Sequence, residues 1–342
     1  MIYKAEFFDR AFDFKFFSVI DAPEIVFDYL TLDKTSIIIP GIVELSRGWY
    51  CHITRSAHIV YQGFVAGVEL GKATTTVQLS PLPALFEFQF FYNRKTYNNN
   101  KTDLEGWFRS AILCTFAGSD NVQNIPGLTV TAATHTDGVD MNLKDNLHDF
   151  WDLARKAIQN DKIAISCEFD PMAKTITAVI TNHAGETEIT IEADLPNVTE
   201  QKFTLRDDYG SVNKVVVYNA KDDSQSQTFY ASDYAPPVVQ RVAEVTVEEG
   251  ETFAAAAREK SAELMRKSDA DNLIELTFRR NDRMIPDLHI GQPVRILKGG
   301  KEYHTILTGK NEKNSDSGGY VTLIFGGIRV DFTKILKLKG AI

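Results

Sequence analysis

Gly291-Gln-Pro-Val-Arg-Ile296, followed by Tyr303, Gly309 and Tyr320-Val-Thr-Leu323-Ile-Phe325, repeats a stretch near the N-terminus. The early copy is Gly48-Trp-Tyr-Cys-His-Ile53, then Tyr61, Gly67 and Thr76-Val-Gln-Leu79. Glycine to isoleucine is 5 positions in both copies, and tyrosine to the second glycine is 6 in both. Glycine to tyrosine is 13 against 12, and the closing loop differs by two. Such slips are expected in turns, where insertions are tolerated. Each copy reads as a three-strand meander. Glycine lets the chain turn into a strand, alternating apolar and polar residues bury one face, and a second strand returns past the tyrosine.

Working outward, residues 1–92 read as strands. Ile37-Ile-Ile39 ends at Pro40-Gly41, and 49–53, 58–70 and 74–79 follow between turn residues. Pro81-Leu-Pro83 stops the last of them. Phe86, Phe88 and Phe90 then alternate along one face of a half-buried strand over 85–91.

A polar break at 93–101 leads to Thr102-Asp-Leu-Glu105, a capping box. Leu104, Trp107, Phe108, Ala111 and Ile112 give that helix its apolar face. A second helix is expected from 143 to 158, with Leu147, Phe150 and Ala154 inward. A meander follows: Ile163 to Phe169, Ile176 to Ile180, then Ile189 and Ile191. Strands at 215–218 and 228–230 flank a loop at 221–226, and Thr252 opens an alanine-rich helix to Lys267. On that helix Ala254, Ala257, Ser261 and Leu264 point inward. The polar run 311–319 reads as a long loop.

The expected fold class is α+β, mainly antiparallel β: two similar β-barrel domains plus a middle α+β domain. The first barrel covers 1–92 and is expected to be completed by 203–245. The middle domain covers 93–202, and 246–342 holds a helix and the second barrel.

Chemistry is harder to find. Neither Gly300-Lys301 nor Gly309-Lys310 has the earlier glycine of a phosphate loop, since Arg295 and His304 stand there. Histidines 52, 58, 135, 148, 183, 289 and 304 form no HExxH motif and no i, i+4 pair. His148 with Asp149 and Asp152 reads as a solvated helix face rather than a metal site. The acidic pairs Asp207-Asp208 and Asp222-Asp223 lack the remaining positions of a calcium loop. No GxSxG elbow singles out a serine. Catalytic, cofactor-binding and metal-binding residues are therefore expected to number none.

Cys51, Cys114 and Cys167 sit in apolar surroundings and read as buried hydrophobes in a reducing compartment. No apolar run is long enough for a membrane span, no signal peptide opens the chain, and synthesis in a bacterial cytoplasm is expected. A net charge of -9 disfavours a phosphate-holding surface. Lys334, Lys337 and Lys339 read as a solubilising end.

The order of these motifs resembles the baseplate hub, or tail-associated protein, of tailed phages and prophages, most of all in long non-contractile tails of Gram-positive hosts. The likeness rests on Gly48 to Gly63, Gln78 to Pro83, Val215 to Asn219, the alanine helix, Gly291-Gln-Pro-Val294, Tyr303 to Lys310 and Leu323 to Arg329. It spans essentially the whole chain. It implies a structural homotrimer with two barrels per chain, forming a ring that adapts a sixfold tail tube or distal tail ring to a threefold tip.

On that resemblance the product is expected in the virion, at the tail tip. Its partners would be its own copies, the distal tail protein, and further tip or receptor-binding proteins. Phage DNA would pass through without specific binding, which an acidic lumen favours. Many such proteins continue into a cell-wall hydrolase; here Ile342 follows the second barrel, so no enzyme activity is expected. The alternatives are a carbohydrate- or receptor-binding tail protein presenting Trp49 and Tyr50, and the hub of a contractile injection particle.

Overall fold

The computed structural model describes residues 2–91, 103–117, 124–132, 147–205, 212–232, 242–247, 252–265, 271–280, 285–315 and 318–327. His135, Asp207-Asp208 and the lysines at 334, 337 and 339 lie outside them. The chain is mainly β with few helices, and it falls into two compact units: Met1–Lys202 with Glu275–Phe325, and Phe203–Ile274 with the chain from Gly326 onward.

The first unit holds both copies of the repeat. Strands β1 (Tyr3–Phe8), β2 (Phe14–Ile20), β4 (Thr35–Pro40), β5 (Tyr50–Arg55), β6 (His58–Leu70) and β7 (Thr74–Pro81) form a six-stranded sheet in the order β2-β1-β5-β6-β7-β4. Its edge strands β2 and β4 approach one another, so the sheet curls into a half-barrel. The apolar residues of alternating strands fill the inside: Tyr3, Ala5, Phe7, Ile37, Ile39, Ile53, Val65, Val77 and Leu79 are all buried.

A second, seven-stranded sheet contains β13 (Ile189–Glu192), β19 (Pro293–Lys298), β20 (Lys301–Ser315), β21 (Gly318–Gly326), β18 (Leu273–Arg279) and β14 (Val198–Thr204), in that order. Short β3 (Ile25–Asp28) joins it by pairing with β20.

The repeat is real down to its hydrogen bonds. Ile53 faces Tyr61 across β5–β6, and Ile296 faces Tyr303 across β19–β20. The amide of Gly48 donates to Val65 O at 2.8 Å, as that of Gly291 does to Leu307 O at 2.8 Å. Val65 and Leu307 donate back to Trp49 O and Gln292 O at 2.8 and 3.1 Å. Both glycines hold positive φ, 82° and 92°. The central strand bulges at the same place in each copy, directly before Gly67 and Gly309. The likeness extends to a fourth strand, because β4 lies beside β7 and β18 beside β21. Each copy is thus a four-strand unit in a Greek-key order, its leading strand returning beside its last.

The unequal spacings fall in places the turns do not explain. The two-residue turns Ser56-Ala57 and Gly299-Gly300 both have positive φ at both positions, the conformation that suits a hairpin's twist. The extra residue of the early copy is a bulge at Val60. The closing hairpin differs by four, not two: Gly67 pairs with Gln78, 11 residues on, and Gly309 with Ile324, 15 residues on. Hence Phe325, not Leu323, matches Leu79. The polar run 311–315 is not a loop but the end of β20, held by its pairing to β21 and β3.

Elsewhere in this unit, α1 spans Leu104–Phe116 and its N-cap is Asp103, which accepts from Gly106 N; Thr102 of the expected capping box lies outside the described residues. Its expected inward face is buried as read. The second helix, α2, spans Phe150–Asp161. Residues 147–149 are instead strand β10, paired to β8 (Gln89–Phe91), and Leu147 is exposed. Phe86, Phe88 and Phe90 all pack on Phe150, although only the last of them lies in a strand. β11 (Ile163–Asp170) and β12 (Thr175–Asn182) form the expected hairpin, but their third strand is β9 (Leu128–Ala132), parallel to β12. Ile189 and Ile191 leave for the larger sheet, where β13 runs parallel to β19.

The second unit holds β15 (Lys214–Asn219), β16 (Asp222–Tyr230) and β17 (Val242–Val247) as a separate three-stranded sheet under α3 (Phe253–Met265). Strands 214–247 therefore do not complete the half-barrel of 1–92. The expected loop at 221–226 is mostly strand, since Asn219 already faces Asp222. Ala257, Ser261 and Leu264 of α3 are buried, while Ala254 is exposed.

Candidate functional site

The histidines separate into distinct environments. His52 is buried on β5, where its Nε2 lies 3.0 Å from Gln62 Nε2 and its ring packs edge-on against Phe169. His58 is exposed in the first hairpin. The acidic residues beside His148 do structural work: Asp149 caps α2 by accepting from Asp152 N at 3.1 Å, and Asp152 pairs with Arg155.

His183, Glu186 and His289 come together although they stand 106 residues apart at the extremes. His183 and Glu186 lie in the turn after β12, which the hairpin pairing of β11 and β12 fixes in place. His289 is brought in by the segment leading to Gly291, whose amide is tied to Leu307. His183 Nδ1 is 2.9 Å from Glu186 Oε1, and His289 Nε2 is 3.1 Å from Glu186 Oε2. The two rings lie 4.9 Å apart. Next along the chain, Glu188 meets His304 Nδ1 at 2.7 Å.

Burial holds the His183 imidazole below its usual pKa, against the pull of Glu186. Burial alone would raise Glu186, but hydrogen bonds from both histidines outweigh it and hold the carboxyl below its usual range. Ionised Glu186 therefore stands between the two rings, with His183 on Oε1 and His289 on Oε2. Both histidines also line a cavity of about 650 Å³ whose walls include Tyr29, Tyr61 and Cys167. Spacing along the chain could not disclose this cluster, since His289 comes from a different strand connection than His183 and Glu186.

The outer surface carries the other candidate features. On edge strand β2, Phe14, Phe17 and Val19 are each more than half exposed. Ile38 on the opposite edge strand and Leu70 at the end of β6 are exposed as well. Tyr50, by contrast, is core, stacked on Phe12 at 5.4 Å, and Trp49 is half-buried against the half-barrel interior. Among the described residues, no helix is long and apolar enough to cross a membrane.

No protein-family model and no curated protein matches this sequence. Solved structures do match the fold. The 43 kDa tail protein of prophage MuSo2 from Shewanella oneidensis superposes with a TM-score of 0.58 at 14% identity, over 95% of this chain and 97% of that one. A tail protein from Neisseria meningitidis gives 0.53 at 13% identity, again over 95% and 97%. A chain of the p2 virion baseplate in its activated conformation gives 0.56 at 12% identity, over 96% and 100%. The class is thereby defined: this chain has the fold of phage and prophage tail and baseplate proteins. The expected resemblance to that group holds at the level of fold, from end to end.

Proposed function

We propose that the protein is a structural hub of a phage or prophage tail tip, a homotrimeric ring that joins the tail tube or distal tail ring to the tip around the DNA channel. The observation that carries this is the internal repeat within a fold shared with a tail protein over 95% of this chain. Two four-strand units per chain with the same bulge and the same turn-in hydrogen bonds give a trimer six quasi-equivalent modules. Those modules can meet a sixfold ring while the rest of each chain obeys threefold symmetry. Exposed Phe14, Phe17 and Val19 on a sheet edge supply apolar surface for neighbours. The chain's net charge of -9 suits a channel that must release phosphates rather than hold them. The role is architectural, with no reaction assigned to it.

The carbohydrate-binding alternative has little to stand on, because stacking on a sugar needs an open ring face and Tyr50 has none. Light scattering over a concentration series, alone and with the distal tail protein, tests the proposal. A trimer, either alone or on the ring, is expected. A chain that stays monomeric, ignores the ring and binds cell-wall glycans would overturn it.

A further inference from the structure

We propose that His183, Glu186 and His289 bind a divalent transition ion, with zinc the best fit. Two imidazoles and one carboxylate are the donor set of a borderline-soft cation, and a calcium or magnesium site would be built from oxygens alone. The spacing suits it. Ligands about 2.0–2.1 Å from a tetrahedral ion stand about 3.3 Å from one another. Measured to the single oxygen Glu186 Oε1, the two nitrogen-to-carboxylate separations here are 2.9 and 3.4 Å. All three ligand atoms lie within 4.8 Å of one another. The longest separation must close somewhat, and His289, whose side chain is 56% exposed, is free to make that swing.

Two further features favour an ion over a simple hydrogen-bonded clasp. The His183 ring is fixed against Gly291, where a β-carbon would come within 2.4 Å of His183 Cδ2. The adjoining cavity of about 650 Å³ leaves room for water in the remaining coordination position. The ion replaces the two histidine–Glu186 hydrogen bonds, each ring turning an unprotonated nitrogen to the metal. Its effect is a cross-link. It ties the segment that carries the second repeat's leading glycine to the turn between β12 and β13.

The test uses the full chain, stripped with a chelator and titrated with Zn²⁺ by calorimetry and with Co²⁺ by visible absorption. One ion per chain is expected, with ligand-field bands for Co²⁺ and no competition from Ca²⁺. His289→Ala and Glu186→Gln should each weaken binding by roughly tenfold or more, the least that loss of even an outer-shell partner costs. Proton NMR of the wild type supplies a readout that needs no variant, because Zn²⁺ should shift the ring signals of two histidines. Absence of Zn²⁺ and Co²⁺ binding, displacement by Ca²⁺, equal affinity in both variants, or shifts confined to other histidines would each overturn the site.

Discussion

The amide of Gly291 donates to the carbonyl of Leu307 at 2.8 Å, and this bond starts the second three-strand meander as Gly48 to Val65 starts the first. At Gly291 the backbone has a φ of 92°, and the ring of His183 fills the space a side chain would need. Left-handed backbone alone costs a non-glycine residue about 1–2 kcal/mol. Gly41, with a φ of 87° and nothing within 4 Å, isolates that cost. Gly291→Ala adds a collision with a buried ring, so it is expected to destabilise the chain clearly more than Gly41→Ala. Gly48→Ala should fall between them, since its new methyl meets only the movable end of Arg10. Urea unfolding of the three variants checks the order, and equal losses would show that the His183 contact is unimportant.

Much of the fold was legible because its signals are local. Residues Leu104, Trp107, Phe108, Ala111 and Ile112 sit at helical spacing and are buried together. Ile163, Ile165 and Phe169 alternate and face inward opposite β12. What the sequence concealed is pairing between distant strands. Nothing near Ile189 says that it leaves its meander for β19, a partner 105 residues away. Nothing near Leu128 marks it as the strand that takes the vacated place. Polar residues 311–315 read as loop because their neighbours are unseen: buried Glu312 answers Arg55, and Asn314 meets the hydroxyl of Tyr3. The histidine cluster is hidden for the same reason, as His183 and His289 belong to different strand connections.

The cysteines should separate in reactivity. Cys51 is fully buried within the half-barrel, and burial drives its thiol far above the usual pKa. Cys114 is exposed on α1, contrary to the expectation that all three are buried. A thiolate is the reactive form, so Cys51 is disfavoured by both its burial and its raised pKa, while Cys114 is open to reagent. Native labelling with a thiol-disulfide reagent is expected to modify Cys114 quickly and spare Cys51 until denaturant is added. Rapid native labelling in a Cys114→Ser variant, mapped to Cys51, would contradict the buried assignment.

His52 gives the fold an acid-sensitive point. Burial holds its pKa below the ordinary 6.5, so the folded chain binds fewer protons there than the unfolded chain does. Stability from this group is therefore complete above about pH 6.5 and falls as the pH drops below it. Unfolding free energy should decline between about pH 7.5 and about pH 5.5, and His52→Gln should flatten that decline. His183, also lowered by burial, adds a contribution of the same sign that remains in the variant. If wild type and variant change in parallel, His52 is not the group being titrated.

Arg55 and Glu312 join the two repeats most directly. The Arg55 guanidinium on β5 donates to Glu312 Oε2 on β20 at 2.5 Å, with side-chain exposures of only 22% and 11%. Arg280 approaches the same oxygen at 4.0 Å and donates to the Tyr3 hydroxyl at 2.8 Å. Removing the carboxylate leaves two guanidinium groups close together in a poorly solvated place, whereas removing Arg55 leaves Arg280 as a partial partner. Glu312→Gln is therefore expected to cost more than Arg55→Ala, about 2–3 kcal/mol for a charge-assisted bond lost in partial burial. A double-mutant cycle with Arg55→Ala and Glu312→Ala should return a coupling of about 1 kcal/mol or more. A coupling below about 0.3 kcal/mol would mean that the repeats are held together by the β3–β20 ladder and apolar contacts, with the ion pair as a bystander. The hub proposal makes the larger value matter, because a ring built from both modules of each chain needs them fixed against one another.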